Sequence, residues 1–117
     1  MDQDQYFESA IKWAKKQGFQ NIKANYQDYE TPGQFNKEGD ENAYIPDITG
    51  VGLGGKNYVE IAMKTENLSR TVSKWKLLST MASIKGGNFY LLAPRGHKAF
   101  TVNIVEKHNL EARVVSI

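Results

Sequence analysis

The stretch that decides the fold is Tyr44–Leu68, YIPDITGVGLGGKNYVEIAMKTENL. Residues 44–48 are predicted to end one strand, and the glycine-rich residues 50–55 predict a hairpin turn into a second strand over residues 57–64. The second strand is apolar through most of its length, which is typical of a buried strand, but it carries a glutamate, Glu60. A charged side chain in a strand of this kind indicates a site.

The alternation of side chains along a strand places Glu60 and Lys64 on one face, together with Tyr58 and Ala62. The hairpin turn is expected to bring Asp47 beside Glu60. Two carboxylates that converge repel each other unless a cation lies between them. Because all-oxygen ligand sets favour hard ions, the pair predicts a site for Mg²⁺ or Mn²⁺, an ion that stabilises phosphate charge and activates water.

The remaining elements follow from hydrophobic periodicity and from glycine and proline positions. Helices are predicted over residues 5–17, 68–84 and 97–108, further strands over 21–27, 89–93 and 112–117, and a long loop with an irregular hairpin over 28–43. Helices alternate with strands after residue 64, which implies parallel crossovers, whereas the short connections before it imply an antiparallel meander. The prediction is a single α/β domain, residues 1–117, with a mixed central sheet flanked by helices.

Composition restricts the classes of function. No stretch approaches 18 apolar residues, so no membrane span is predicted, and the chain has no cysteine, which excludes disulfides and thiolate metal sites. The polar, acidic N-terminus is unlike a secretory signal, and a cytoplasmic location is expected. Residues 1–47 carry a net charge of −4 and residues 48–117 a net charge of +6, and a basic half attracts phosphates.

The pattern Pro46-Asp47 … Glu60-x-x-x-Lys64 resembles the PD-(D/E)xK nuclease superfamily, whose fold is called restriction-endonuclease-like. The predicted order of helix, three-strand meander, helix, strand, helix, strand is similar to the core of that fold over most of the chain. The small branch that includes Holliday-junction resolvases is the most similar.

The resemblance implies a Mg²⁺-dependent endodeoxyribonuclease that hydrolyses DNA and pairs as a homodimer. Asp47 and Glu60 would bind the metal, Glu8 on the first helix would add a ligand, and Lys64 would orient the attacking water. In the family pattern, however, the lysine stands two residues after the acid, and that position is Ala62. Lys64 is displaced by roughly 6–7 Å along the strand.

The departure at Ala62 leaves open an alternative function. A catalytically degenerate member of the same fold would serve as a nucleic-acid-binding or protein-interaction module. A third class, a small metabolic or stress protein that merely shares the topology, also remains open.

Basic residues at two places are candidate contacts to DNA. Arg70 and Lys74 lie on the predicted long helix, and Arg95 and Lys98 flank the predicted start of the last helix, where backbone amides also favour phosphate. The alternative is that these side chains are ordinary solvated charges.

Overall fold

A computed structural model of the chain describes residues 3–36 and 43–117. Within these residues lie three helices and seven strands. In chain order they are α1 (Asp4–Lys16), β1 (Gln20–Ala24), β2 (Phe35–Asn36), β3 (Ala43–Tyr44), β4 (Ile48–Val51), β5 (Lys56–Ile61), α2 (Leu68–Ile84), β6 (Gly86–Ala93), α3 (Lys98–Lys107) and β7 (Arg113–Ser116).

The predicted mixed sheet is confirmed. Five strands form one sheet in the order β1-β4-β5-β6-β7, while β2 and β3 form a separate two-stranded ribbon. The β1–β4 and β4–β5 pairs are antiparallel, and the β5–β6 and β6–β7 pairs are parallel. The two parallel pairs are those joined by helices, α2 and α3, because a parallel connection must carry the chain back along the sheet.

The helices cover both faces of the sheet. On one face, α1 packs through Phe7, Ala10 and Ile11 against Val59 and Ile61 of β5. The other face is covered by α2 and α3, and its core contains Tyr58, Ala62, Trp75, Leu78 and Ile104. The predicted alternation along β5 is therefore confirmed, and Glu60 lies on the α2 face with Tyr58.

Several predicted strand bounds are wrong: β1 ends at Ala24 instead of residue 27, and β6 begins at Gly86 instead of residue 89. Two further differences lie next to Asp47 and Glu60. Residues 44–48 are not one strand: Ala43–Tyr44 pairs with Phe35–Asn36 in the ribbon, and β4 begins only at Ile48, after Asp47. Proline has no N–H to donate to a ladder, so Pro46 separates the two segments. Residues 37–42 of the predicted loop lie outside the described residues.

The strand predicted over 57–64 also ends early, at Ile61. Ala62 still donates its N–H to the Leu92 carbonyl oxygen at 2.8 Å, but the chain then leaves the sheet toward α2. Lys64 is therefore not a strand residue. The connection ends at Asn67, whose side chain accepts a hydrogen bond from the Arg70 N–H and caps α2.

Close backbone packing joins the start of β5 to the start of β6. A Cβ atom at Gly87 would overlap the carbonyl oxygen of Lys56. Gly87→Ala is therefore expected to lower the free energy of unfolding by about 2–4 kcal/mol, because backbone on both sides must shift. Gly33→Ala is the matched control, since a Cβ there meets nothing within 4 Å, and it is expected to change stability by less than about 1 kcal/mol. Urea denaturation of both variants measures the difference.

No helix among the described residues is long and apolar enough to span a bilayer.

Candidate functional site

Asp47 and Glu60 face each other where β4 and β5 separate. Ile48 pairs with Val59, so the next opposing residues are Asp47 and Glu60. Here side chains replace the ladder: a Glu60 carboxylate oxygen, Oε2, accepts from the Asp47 N–H at 2.6 Å, and Asp47 Oδ2 accepts from the Ile61 N–H at 2.9 Å. Each carboxylate thus has one oxygen fixed by the other strand's backbone, and its second oxygen is left for another partner.

Lys74 of α2 is that partner. Its ammonium lies 2.9 Å from Glu60 Oε1 and 3.9 Å from Asp47 Oδ1. Asp47 and Glu60 are only 4% and 3% exposed, whereas the Lys74 side chain retains 21% exposure. The three side chains form one charge cluster, here called the Asp47–Glu60–Lys74 cluster. Its two carboxyl groups, on the sheet, are buried, and its ammonium, on α2, is partly exposed to solvent.

The cluster holds two acids and a single ammonium, and its pKa values reflect that imbalance. Burial, followed by the neighbouring Asp47 charge, raises the pKa of Glu60 to about 8 despite the opposing effect of Lys74. Burial also raises the pKa of Asp47. Burial opposes the charged form of Lys74, but the two carboxyl groups outweigh it and raise the pKa of that ammonium. At pH 7 Lys74 is therefore charged and Glu60 holds its proton.

A cavity of about 370 Å³ opens beside the cluster. Its wall includes Glu60 and Lys74 and, nearer the solvent, Lys64 and Arg70. Gln3 closes one side, where its side-chain amide donates to the Ile61 carbonyl oxygen at 3.0 Å. The cavity wall thus combines one acid, Glu60, with the cationic side chains of Lys64, Arg70 and Lys74.

The structure places Lys64 away from the strand face on which it was predicted, and it brings Lys74 of α2 to the carboxylates. Lys64, predicted to serve the carboxylates, is exposed three residues beyond the end of β5 and borders the cavity instead. Lys74, predicted as a DNA contact, supplies the ammonium at the carboxylate pair. The physical reason is the exit of the chain from the sheet after Ala62, which removes Lys64 from the strand face shared with Glu60.

Lys64 is held through its backbone. Its N–H donates to Nδ1 of His97 at 2.9 Å, and His97 is only 8% exposed. Because a backbone amide can only donate, Nδ1 carries no proton. His97 precedes α3, and its carbonyl oxygen accepts from the Thr101 hydroxyl at 2.8 Å. The start of α3 thereby fixes the segment that leads from β5 to α2.

The other predicted site residues are distributed around this region. Arg70 borders the cavity, stacks 4.4 Å from the Tyr44 ring centroid and donates to the Ala43 carbonyl oxygen at 2.9 Å. Arg95 and Lys98 are exposed on either side of His97, outside the cavity wall. Glu8 is exposed on α1 and borders a different depression, beside Tyr26, so the structure does not bring it to Asp47 and Glu60.

Sequence reasoning missed the position of Lys74 in the cluster, although a signal for it exists. Lys74 stands four residues before Leu78 and beside Trp75, both of which are buried. A lysine at that spacing lies at the edge of the apolar stripe of α2 and points toward the sheet. Gln3 was missed as well, and its spacing in the sequence carries no comparable signal.

Asp47 and Glu60 are the residues of this site able to bind a metal. Across residues 3–36 and 43–117, no three His, Cys, Asp or Glu side chains cluster as a metal site. One oxygen of each carboxyl group points toward the Lys74 ammonium, so this position already holds a cationic group. Mg²⁺ is commonly bound by one or two carboxylates, with water and substrate phosphates completing its ligands, so the donor set fits that ion.

Comparison of the chain with protein-family models, with curated proteins and with solved structures gave no match in any of the three. Inference about function therefore depends on the geometry and the charges of the Asp47–Glu60–Lys74 cluster and of its cavity.

Proposed function

We propose that this protein hydrolyses DNA phosphodiester bonds with a divalent cation, on a restriction-endonuclease-like fold. The proposal is carried by one observation, the convergence of Asp47, Glu60 and Lys74 beside a cavity that Glu60 and Lys74 line and that has a basic rim. Buried carboxyl groups in a cleft, with pKa values raised by burial and, for Glu60, by a neighbouring carboxylate, are typical of functional sites.

The strand divergence explains why the carboxylates are suited to a cation. Each keeps one oxygen fixed by a backbone N–H, which orients the second oxygen toward the common point near Lys74. The carboxylate side chains therefore need little reorientation when a cation arrives and lose little conformational entropy, but Glu60 must release its proton and the Lys74 ammonium must shift to make room. A divalent cation held there would supply Lewis-acid activation of water and of a phosphate oxygen.

The lysine and the basic rim perform separate tasks in this proposal. Lys74 retains partial exposure and three N–H donors, so it can stabilise negative charge that develops on a phosphate oxygen beside Glu60. Arg70 and Lys64, farther out on the cavity wall, neutralise the phosphates on either side of the scissile bond. Arg70 is held by Tyr44 and Ala43, which aligns its guanidinium before the substrate binds.

A nucleic-acid-binding module without catalysis is the second candidate. It is favoured by the ion pair between Lys74 and Glu60 at 2.9 Å, which already satisfies one carboxylate without a metal. In that case the cluster stabilises the fold, and only the rim contacts nucleic acid.

A cleavage assay separates the two candidates. The purified protein is incubated with branched, linear and single-stranded DNA in Mg²⁺ or Mn²⁺, beside Asp47→Ala, Glu60→Ala and the control Glu8→Ala. We expect metal-dependent cleavage that each of the first two variants lowers by at least about 100-fold. Glu8→Ala is expected to retain it, since Glu8 lies outside the cluster. DNA binding without cleavage in any metal would contradict the hydrolysis and support the nucleic-acid-binding module.

Metal binding is expected to release protons from the cluster. At pH 7 Glu60 still holds its proton, because its pKa is about 8, and a carboxylate must lose that proton to become a ligand. Calorimetric titration of Mn²⁺ in two buffers of different ionisation enthalpy measures the number released. We expect close to one proton at pH 7 and far fewer at pH 9, with affinity rising between them. Binding with no proton release at pH 7 would contradict the proposed ligand role of Glu60.

A further inference from the structure

We propose that the tip of the β4–β5 hairpin, together with the adjoining end of α2, is a second nucleic-acid contact at which Leu53 inserts against bases and Lys56 and Lys85 hold phosphates. The inference rests on the proposed function, because it takes the polymer bound at the carboxylate pair to continue along α2 to this tip.

Large apolar side chains are exposed together at this end of the molecule. Leu53 at the tip is fully exposed, and Ile84, the last residue of α2, is 69% exposed. Val51, at the end of β4, is 40% exposed. A single exposed apolar residue is ordinary, but a group of them on one projection indicates an interaction surface.

The tip is held firmly in place by backbone packing. The Gly52 N–H donates to the Gly55 carbonyl oxygen at 2.9 Å, and the Lys56 N–H donates to the Lys85 carbonyl oxygen at 3.3 Å. A Cβ at Gly55 would overlap that same Lys85 oxygen, so the glycine permits the contact. Leu53 is thus presented on a rigid support, and binding through it costs little ordering entropy.

Positive charge surrounds the apolar group. Lys56 and Lys85 come from the two segments that meet at the tip, and burial together with the charges of Lys23 and Lys85 lowers the pKa of Lys56. Lys23 is paired with Glu30 at 3.0 Å. No ion pair to Lys56 or Lys85 forms within the described part of the chain. Charge complementarity therefore favours an anionic partner.

The surface of α2 connects the tip to the cavity. The helix has 17 residues, so it spans about 25 Å, close to the rise of seven base pairs. Its sequence contains no Asp or Glu. Hydroxyl and ammonium groups, which contact phosphates, share the exposed face of α2 that points away from Lys74 and the cavity: Ser69, Lys76, Thr80 and Ser83.

These features favour a nucleic acid over an anionic bilayer. A bilayer engages a continuous apolar face, and among the described residues this end of the molecule offers three large exposed apolar side chains. Nucleic acid accepts a single apolar wedge between base steps, while lysines hold the flanking phosphates.

The test uses a 20-base-pair duplex that carries 2-aminopurine, a base whose fluorescence rises on unstacking, with Ca²⁺ in place of Mg²⁺ to prevent cleavage. The variants are Leu53→Ser, Leu53→Met and Lys85→Gln, with Lys12→Gln on α1 as the matched charge control. Since Leu53 is fully exposed, its replacement leaves the core intact.

We expect wild type and Leu53→Met to bind the duplex and raise the fluorescence. Leu53→Ser should bind roughly tenfold more weakly without that rise. Lys85→Gln should lower the slope of log affinity against log salt by about one, and Lys12→Gln should leave it unchanged.

Equal binding and equal fluorescence for wild type and Leu53→Ser would overturn the inference, as would binding to phosphatidylserine vesicles with none to the duplex. Failure of the proposed function is distinguishable, because Mn²⁺ calorimetry without DNA reports on Asp47 and Glu60 alone. A protein that binds Mn²⁺ and cleaves DNA independently of Leu53 keeps the proposed function and loses this inference. Leu53-dependent duplex binding with no metal binding and no cleavage supports the contact and overturns the hydrolysis.

Discussion

Lys74→Met is expected to lower metal-dependent DNA cleavage by at least about 100-fold and to destabilise the protein by about 3–5 kcal/mol above pH 8. Methionine preserves most of the volume and the apolar stem of lysine, so the change isolates the ammonium. Without it, two nearly fully buried carboxyl groups lie side by side with no cation between them. Cleavage rates and urea denaturation, each measured from pH 6 to pH 9, test both effects.

Two other lysines serve as controls. Lys76→Met makes the same chemical change two residues away, on the exposed face of α2, and is expected to alter stability by less than about 0.5 kcal/mol. Lys64→Met tests the lysine that the sequence pattern favours. Because Lys64 borders the cavity but lies outside the cluster, its loss is expected to weaken DNA binding several-fold with a smaller effect on the cleavage step.

The opposite result has a definite meaning. If Lys64→Met abolishes cleavage while Lys74→Met remains active at a pH where both are folded, Lys74 is a structural counter-ion and Lys64 acts on the substrate. The destabilisation by Lys74→Met should remain in that case, because it follows from the buried carboxylates alone.

Local sequence patterns were sufficient for the sheet and for the face that carries Glu60. Alternation fixes which side chains of β5 face α2, and the helices between later strands require parallel pairing. Asp47 was expected beside Glu60 because a glycine-rich hairpin turn lies between them, and the structure brings the two together. That contact occurs even though residues 44–48 were predicted as one strand end and the observed strand begins only at Ile48, since the hairpin register is set by the turn.

The lysine that pairs with the two carboxyl groups could not be assigned in the same way, because two lysines at different sequence distances from Glu60 are candidates for that pairing. Lys64 is four residues from Glu60 and is placed by strand alternation only if the strand continues. Lys74 is fourteen residues away and is placed by the docking of α2 on the sheet through Trp75 and Leu78. Tertiary packing decides which ammonium reaches the carboxylates, and a pattern confined to one strand contains no information about it.

The end of the β4–β5 pairing, beyond Ile48 and Val59, explains why the cluster forms. β5 pairs antiparallel with β4 on one side and parallel with β6 on the other, and only the second pairing continues through Ile61. The Asp47 and Ile61 N–H groups consequently lose ladder partners on the β4 side and are satisfied by the opposing carboxylates. A buried unpaired amide is costly, so the backbone itself contributes to keeping the two acids in place.

The free energy of unfolding is expected to fall as pH rises from about 5 to about 8, and Glu60→Gln is expected to remove most of that fall. In the unfolded chain Glu60 has an ordinary pKa of 4.5, whereas in the folded protein burial and the neighbouring Asp47 charge raise the pKa to about 8. Between these values the folded state holds a proton that the unfolded state has released. Raising the pH therefore favours unfolding, by roughly 3 kcal/mol across this range.

The measurement is the difference in unfolding free energy between wild type and Glu60→Gln at each pH, so that the other acids cancel. Glutamine keeps an oxygen that can accept from the Asp47 N–H, and the difference is expected to shift in favour of the variant from pH 5 to pH 8. Glu106→Gln, an exposed position on α3, is the matched control and should show no such shift.

Mg²⁺ provides the link between this pH dependence and function. If Glu60 is a ligand, saturating Mg²⁺ should stabilise wild type more at pH 8 than at pH 5, because at the lower pH a proton competes for the same oxygen. Stabilisation by Mg²⁺ should be lost in Glu60→Gln both at pH 5 and at pH 8. A pH-dependent fall in stability that Mg²⁺ does not reverse would mean that the cluster titrates as a purely structural element, with Lys74 as its permanent cation.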